Sequence, residues 1–130
     1  MEQLISGAKQ LGLVIQPHQQ RQFHDYLDEL LTWNRRVNLT AVTQPEEVEK
    51  THFLDSLTVA QALPDSLRSG GRLADVGSGA GFPGIPLKIL FPGMGLTLID
   101  SVAKKTTFLQ YLSDALKLQG TEVCTGGIES

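Results

Sequence analysis

The stretch from Leu73 to Pro86, LADVGSGAGFPGIP, limits what this chain can fold into more than any other. Leu73, Ala74 and Val76 read as a short apolar strand, with the acidic Asp75 near its end. Gly77, Gly79, Gly81 and Gly84 follow within eight residues. Pro83 and Pro86 stand where a helix begins, a position at which a fixed φ and a missing N–H cost little. Strand, glycine turn and helix start in that order let bare backbone approach a nucleotide-like ligand. A turn that only needs positive φ angles explains the glycines singly but not the strand before them or the helix after them.

Two ligand classes fit the loop. Gly79, Gly81 and Gly84 match G-x-G-x-x-G, the spacing of a nicotinamide or flavin dinucleotide site, which is a weak signal alone. The glycines, however, begin at Gly77, directly behind Asp75, and an Asp-x-Gly-x-Gly-x-Gly loop resembles the S-adenosyl-L-methionine loop of Rossmann-like methyltransferases. Leu96 to Asp100, LTLID, alternates as a second strand with Asp100 at its end. An acidic residue about 20 positions beyond a glycine loop accepts ribose hydroxyls in doubly wound folds. Asp100 suits either ligand; its structural alternative is to cap the helix that follows.

The chain has 130 residues, net charge −3 and a single cysteine, Cys124. That length supports one core. One cysteine forms no intrachain disulfide and has no metal-ligand spacing around it, and no apolar run approaches a transmembrane span of about 20 residues. The start, MEQLISGAKQLG, has no signal-peptide pattern. A reducing cytoplasm is the expected compartment. Residues 1–69 hold six Lys and Arg against nine Asp and Glu, and residues 70–130 hold five against five. Neither half is a broad basic footprint for nucleic acid, so any RNA contact is local or supplied elsewhere.

Before the loop the pattern is helical. Leu4, Ile5, Ala8 and Leu11 share a face, with Gly12 as the stop. Pro17 opens a second helix, striped by Phe23, Tyr26, Leu27, Leu30, Leu31 and Asn34, with Trp33 beside the stripe. Thr43 and Glu46 match a capping box for a third helical run to Leu63, irregular around Thr51–His52. Pro64 to Gly71 reads as a linker. After the loop, Ile85 to Phe91 is a short helix, Ser101 to Leu118 an amphipathic one bearing Phe108, Leu109, Leu112, Ala115 and Leu116, and Thr121 to Thr125 a third strand. The expected fold is therefore α/β. A helical segment, residues 1–69, precedes residues 70–130, the first half of a Rossmann-like domain cut after its third strand. A doubly wound sheet has about six strands, so a longer protein is expected.

Other residues carry weaker signals. His52, Asp55 and Ser56, at i, i+3 and i+4, suit a structural hydrogen-bond cluster or a substrate-facing polar patch; a metal site lacks a third ligand nearby. Asn38 suits a helix end. Arg35 and Arg36 are placed for solvent or for phosphate, and Lys104 and Lys105 oppose the dipole of the helix they begin. Cys124, within a strand, is expected to pack inside.

Together WNRRVNLT, HFLDSL, DVGSGAGFPGIPLKI and TLIDSVAKKTTFL resemble the ribosomal RNA small subunit methyltransferase G family, also called glucose-inhibited division protein B. The likeness runs from about Leu4 to the C-terminus. It implies S-adenosyl-L-methionine-dependent methylation of a guanine N7 in bacterial 16S ribosomal RNA, with the RNA presented in a small-subunit particle. It also implies that Gly77, Gly79 and Phe82 lie against the methyl donor, that Asp100, Ser101 and Val102 hold its ribose and adenine, and that Ile128 and Glu129 flank the adenine. Gly127 stands where that family commonly has arginine. For that reaction no catalytic acid or base is expected, since N7 offers a lone pair without a proton, and from the spacing and apolar runs above no metal and no membrane are expected. Residues 1–130 alone are expected to be inactive, because a further segment near the methyl donor lies beyond Ser130 in that family. Two other readings remain open at this stage: a nicotinamide-dependent oxidoreductase, and a non-catalytic RNA-binding or assembly protein with a relic pocket.

Overall fold

The computed structural model describes residues 1–126. Three parallel strands, β1 (Arg72–Val76), β2 (Gly95–Asp100) and β3 (Thr121–Thr125), lie side by side in sequence order. Asp75 pairs with Leu98 and Val76 with Ile99, so β1 and β2 end together. Two crossover helices join them, α6 (Gly84–Leu90) and α7 (Ala103–Ala115). Right-handed connections between successive neighbouring strands put both helices on one face. That face buries Asp75, Leu96, Leu98 and Asp100, while Ala74 and Val76 on the other face of β1 are exposed.

The N-terminal helices cover the crossover helices. After α1 (Glu2–Gln10), α2 (Pro17–Asn34) packs on α6 and α7. Its stripe is buried at Phe23, Tyr26, Leu27 and Leu30. Gln19 fastens its start: Oε1 accepts the Gln16 N–H at 2.8 Å and Nε2 donates to the Ile89 carbonyl of α6 at 3.0 Å. One apolar cluster runs from Leu4 and Phe23 through Phe53 and Ile85 to Leu96 and Phe108. Burying each such side chain contributes roughly 1.5–3 kcal/mol, so helical layer and sheet depend on each other.

Between these parts the chain is helical from 45 to 62, but not uniformly. A short α3 (Pro45–Glu47) passes into a π-helical segment, Val48–Leu54, then α4 (Asp55–Thr58) and a 3-10 turn, Val59–Ala62. The irregularity around Thr51–His52 is thus a π-helix inside one run. The Thr43–Glu46 capping box does not form: Gln44 is the N-cap, with no side-chain cap bond. The linker at 64–71 contains a helix, α5 (Asp65–Ser69), which follows an extended Pro64. α7 ends earlier than its pattern suggests, because Lys117 adopts φ 57° and turns the chain before Gly120 is reached; Ala115, the last residue of α7, is exposed and does not share the buried face of Phe108, Leu109 and Leu112. Cys124 is also exposed, since among the described residues β3 is an edge strand and no layer lies over that face.

Candidate functional site

The glycine loop folds back over the ends of β1 and β2. The N–H groups of Gly77 and Ser78 both donate to the Ile99 carbonyl, at 2.7 and 3.2 Å, which carries the ladder one step past the strands. The Gly79 N–H then donates to Asp100 Oδ2 at 2.9 Å, and the Val102 N–H to Asp100 Oδ1 at 2.9 Å. One buried carboxylate therefore both ties down the loop and orders the entry to α7. Each oxygen still has a lone pair for a ligand hydroxyl. Asp75 does the matching work beneath the loop, where its Oδ2 accepts the Gly84 N–H at 3.0 Å.

The four glycines divide into two pairs. A Cβ on Gly77 (φ 75°) would meet nothing within 4 Å, and one on Gly79 (φ 56°) only the Gly77 carbonyl at 4.0 Å. Here the backbone faces open space beside the Asp100 carboxylate. A Cβ on Gly81 would stand 2.7 Å from the Tyr26 hydroxyl, and one on Gly84 2.8 Å from Asp75 Oδ2. That pair allows close packing. The first pair leaves a cradle that a side chain would fill.

Burial and neighbours tune the charges. Desolvation pushes Asp75 up to about 6, against the pull of the Gly84 N–H and with a smaller push from Asp100. Burial drives the Tyr26 phenol well above its ordinary value, helped by Asp75, so it is a fixed donor; its hydroxyl donates to the Ala80 carbonyl at 2.7 Å. Burial lowers His52, with Asp55 opposing.

Gly77, Gly79, Asp100, Ser101 and Val102 all stand at the C-terminal ends of β1 and β2, with the side chains of Ser101 and Val102 exposed beside the carboxylate. Phe82 leaves the loop in the other direction. Its ring stacks on Tyr26 of α2 (centroids 5.6 Å apart) and on His52 (4.5 Å). Ile128 and Glu129 lie outside the described residues. His52 does not form a side-chain cluster with Asp55 and Ser56: its ring pairs with Thr40 Oγ1 at 2.7 Å, while Ser56 Oγ donates to the His52 carbonyl. Sequence reasoning missed Tyr26 and Thr40 as part of this neighbourhood. Tyr26 looked like one more residue of an apolar stripe, and only its hydroxyl hinted at a second task. Among the described residues no group of three or more His, Cys, Asp or Glu side chains is placed to hold a metal ion, and no helix is long and apolar enough to cross a membrane.

Comparison with known proteins gives consistent matches. The family model described as rRNA small subunit methyltransferase G matches residues 19–130. A protein of Caldanaerobacter subterraneus named ribosomal RNA small subunit methyltransferase G is 45% identical over 129 residues, covering 99% of this chain and 53% of that protein. The proteins of the same name from Bacillus subtilis and Aquifex aeolicus are 42% and 47% identical, covering 95% and 88% of this chain and 51% and 59% of their own. The chain thus spans about half the length of the curated relatives it matches.

Proposed function

The chain belongs to the rRNA small subunit methyltransferase G family, and from that premise we propose that residues 70–130 bind S-adenosyl-L-methionine, braced by the helical segment 1–69, within an enzyme that methylates a guanine N7 of 16S ribosomal RNA. The observation that carries the reading is the bare backbone of Gly77 and Gly79 beside the Asp100 carboxylate. An adenosine-bearing ligand needs that pairing: close approach along one side and an acceptor for ribose hydroxyls on the other. Ser101 and Val102 form the exposed rim next to that acceptor, suited to the adenine side.

When held by Gly77, Gly79 and Asp100, the donor would supply an activated methyl group on a sulfonium; transfer would form the N7–methyl carbon bond as the carbon–sulfur bond breaks, with its electron pair left on sulfur. N7 brings its own lone pair, so no residue must remove a proton. The task of the protein is alignment, which can supply roughly 7–11 kcal/mol of such a barrier. In this reading Asp100 and the loop glycines fix one reactant, and no residue of the chain is assigned an acid or base role. The RNA, carried in a small-subunit particle, meets the open side of the loop.

The test has two parts. Calorimetry of the 130-residue chain with S-adenosylhomocysteine should show one-to-one binding that NADH does not displace; displacement by NADH would return the dinucleotide reading. A chimera in which residues 1–130 replace the aligned part of the Caldanaerobacter subterraneus relative should transfer labelled methyl to 16S RNA or to small-subunit particles. Residues 1–130 alone should not. No transfer by a folded chimera that binds the donor would favour a non-catalytic RNA-binding role.

A further inference from the structure

The Phe82 ring stacks with two rings of the helical layer, Tyr26 with ring planes 18° apart and His52 with planes 14° apart. Tyr26 is wholly buried and anchored to the Ala80 carbonyl, so that partner is fixed. The imidazole is held by a chain of hydrogen bonds that starts at the end of α2. Asn34 Oδ1 accepts the N–H groups of Leu39 and Thr40 at 2.8 and 3.0 Å, and Asn34 Nδ2 donates to the Thr40 carbonyl at 2.9 Å. The Thr40 hydroxyl accepts the Val42 N–H at 3.0 Å and pairs with His52 Nε2 at 2.7 Å. Thr40 is therefore held on both flanks, and it in turn holds the imidazole.

His52 also stands in the π-helical segment. A wider turn of this kind re-aims side chains relative to an α-helix and is frequent at functional sites. The open half of the glycine loop, Gly77 to Gly79, has no side chain larger than that of Ser78 with which to anchor itself. Its start is tied to the Ile99 carbonyl and, through Ser78 Oγ, to the Asp75 carbonyl at 2.7 Å, and Gly79 is tied to Asp100. Beyond Gly79 the loop is held by Tyr26 on the Ala80 carbonyl, by Asp75 on the Gly84 N–H and by the packing of Phe82.

We propose that His52, oriented by the Thr40 hydroxyl, is a positioning residue that locks the Phe82 ring against Tyr26 and thereby sets the backbone of the glycine loop for the methyl donor. The inference rests on the proposed donor site for its functional meaning, but the locking itself is a property of the chain without ligand. His52 touches no reacting atom in this role. Burial keeps the imidazole neutral near pH 7, so it meets Phe82 as a ring and not as a charge.

Amide hydrogen exchange at Gly79, Gly81 and Gly84 in the unliganded 130-residue chain tests the locking, and calorimetry with S-adenosylhomocysteine tests its consequence. His52→Ala should speed exchange at these amides and weaken binding by about tenfold, the factor carried by one aromatic stack and one hydrogen bond. Thr40→Val should do the same to a smaller extent, and Thr40→Ser should restore wild-type behaviour. That rescue separates the hydroxyl from general packing. If His52→Ala does not fold, the Thr40→Val and Thr40→Ser pair decides alone. Unchanged exchange in folded His52→Ala, or no difference between Thr40→Val and Thr40→Ser, overturns the proposal. Faster exchange in the variants with no binding by the wild type would sink the donor reading and leave the locking standing.

Discussion

Asp100 Oδ2 accepts the Gly79 N–H at 2.9 Å across 21 residues of chain, so the end of the second strand governs the loop that follows the first. The two halves of the candidate site are one mechanical unit. Asp100→Ala should therefore fail in two ways. It removes two part-buried hydrogen bonds to a charged group, those of the Gly79 and Val102 N–H groups, destabilising the fold by about 1–3 kcal/mol, and it removes the acceptor proposed for ribose hydroxyls. Urea unfolding measures the first loss. Calorimetry with S-adenosylhomocysteine measures the second, expected to exceed tenfold. Asp100→Asn, which keeps one acceptor oxygen, should recover part of the stability and little of the affinity. Full affinity in either variant would remove Asp100 from the site.

The division of the glycines gives an independent check. Gly81→Ala and Gly84→Ala place a methyl group within 2.7–2.8 Å of Tyr26 or Asp75, and such overpacking costs about 1–3 kcal/mol, with added strain at the positive φ of Gly81. Gly77→Ala meets no atom. Its stability loss should be confined to left-handed strain of about 1 kcal/mol, while its donor affinity falls by a larger factor than its stability implies. Thermal unfolding paired with calorimetry reads both. If Gly77→Ala bound as well as the wild type, the open cradle would not be where the ligand lies.

Much of this arrangement was legible in the residue pattern, because its signals are local. A short apolar run marked β1 and period-two alternation marked β2, glycine and proline marked the loop, and the 3.6-residue stripe of Phe23, Tyr26 and Leu30 marked α2. What was not legible depends on contacts made at a distance. His52 reaches Thr40, twelve residues earlier, where Asn34 holds Leu39 and Thr40 back against the end of α2, and nothing in Val48–Leu54 spells a π-helix. The Thr43–Glu46 pair had the spacing of a capping box, yet Pro45 starts the helix at the next residue and leaves Gln44 as cap. The G-x-G-x-x-G match kept a dinucleotide open while Gly77 behind Asp75 leaned to a methyl donor, and the relatives, each named a methyltransferase, agree with the latter.

Cys124 was expected inside and lies exposed on the edge strand. Its thiol should react with iodoacetamide in the native protein nearly as fast as in urea. Protection of more than about a hundredfold, the mark of a residue released only by opening of the structure, would mean that this face of β3 is covered in solution.

Asp75 supplies a pH dependence with a definite sign. Its carboxyl has a folded-state value of about 6, raised first by burial, whereas an unfolded chain releases that proton near 4. Between these values the native state binds the proton more tightly, so its contribution to stability is whole below about pH 4 and is lost as pH rises through about 6. Above that, the charge is carried at a cost that the Gly84 N–H only partly offsets. Asp75→Asn keeps an acceptor for that N–H and never ionises. Relative to wild type it should gain about 1 kcal/mol at pH 8, a figure already reduced for solvent screening, and gain nothing at pH 4. Urea unfolding of both proteins at pH 4, 6 and 8 isolates the effect, because every other titrating group is common to the pair. A difference that stays constant across the three values would show that Asp75 bears no buried charge, and that the floor of the loop is wetter than its geometry implies.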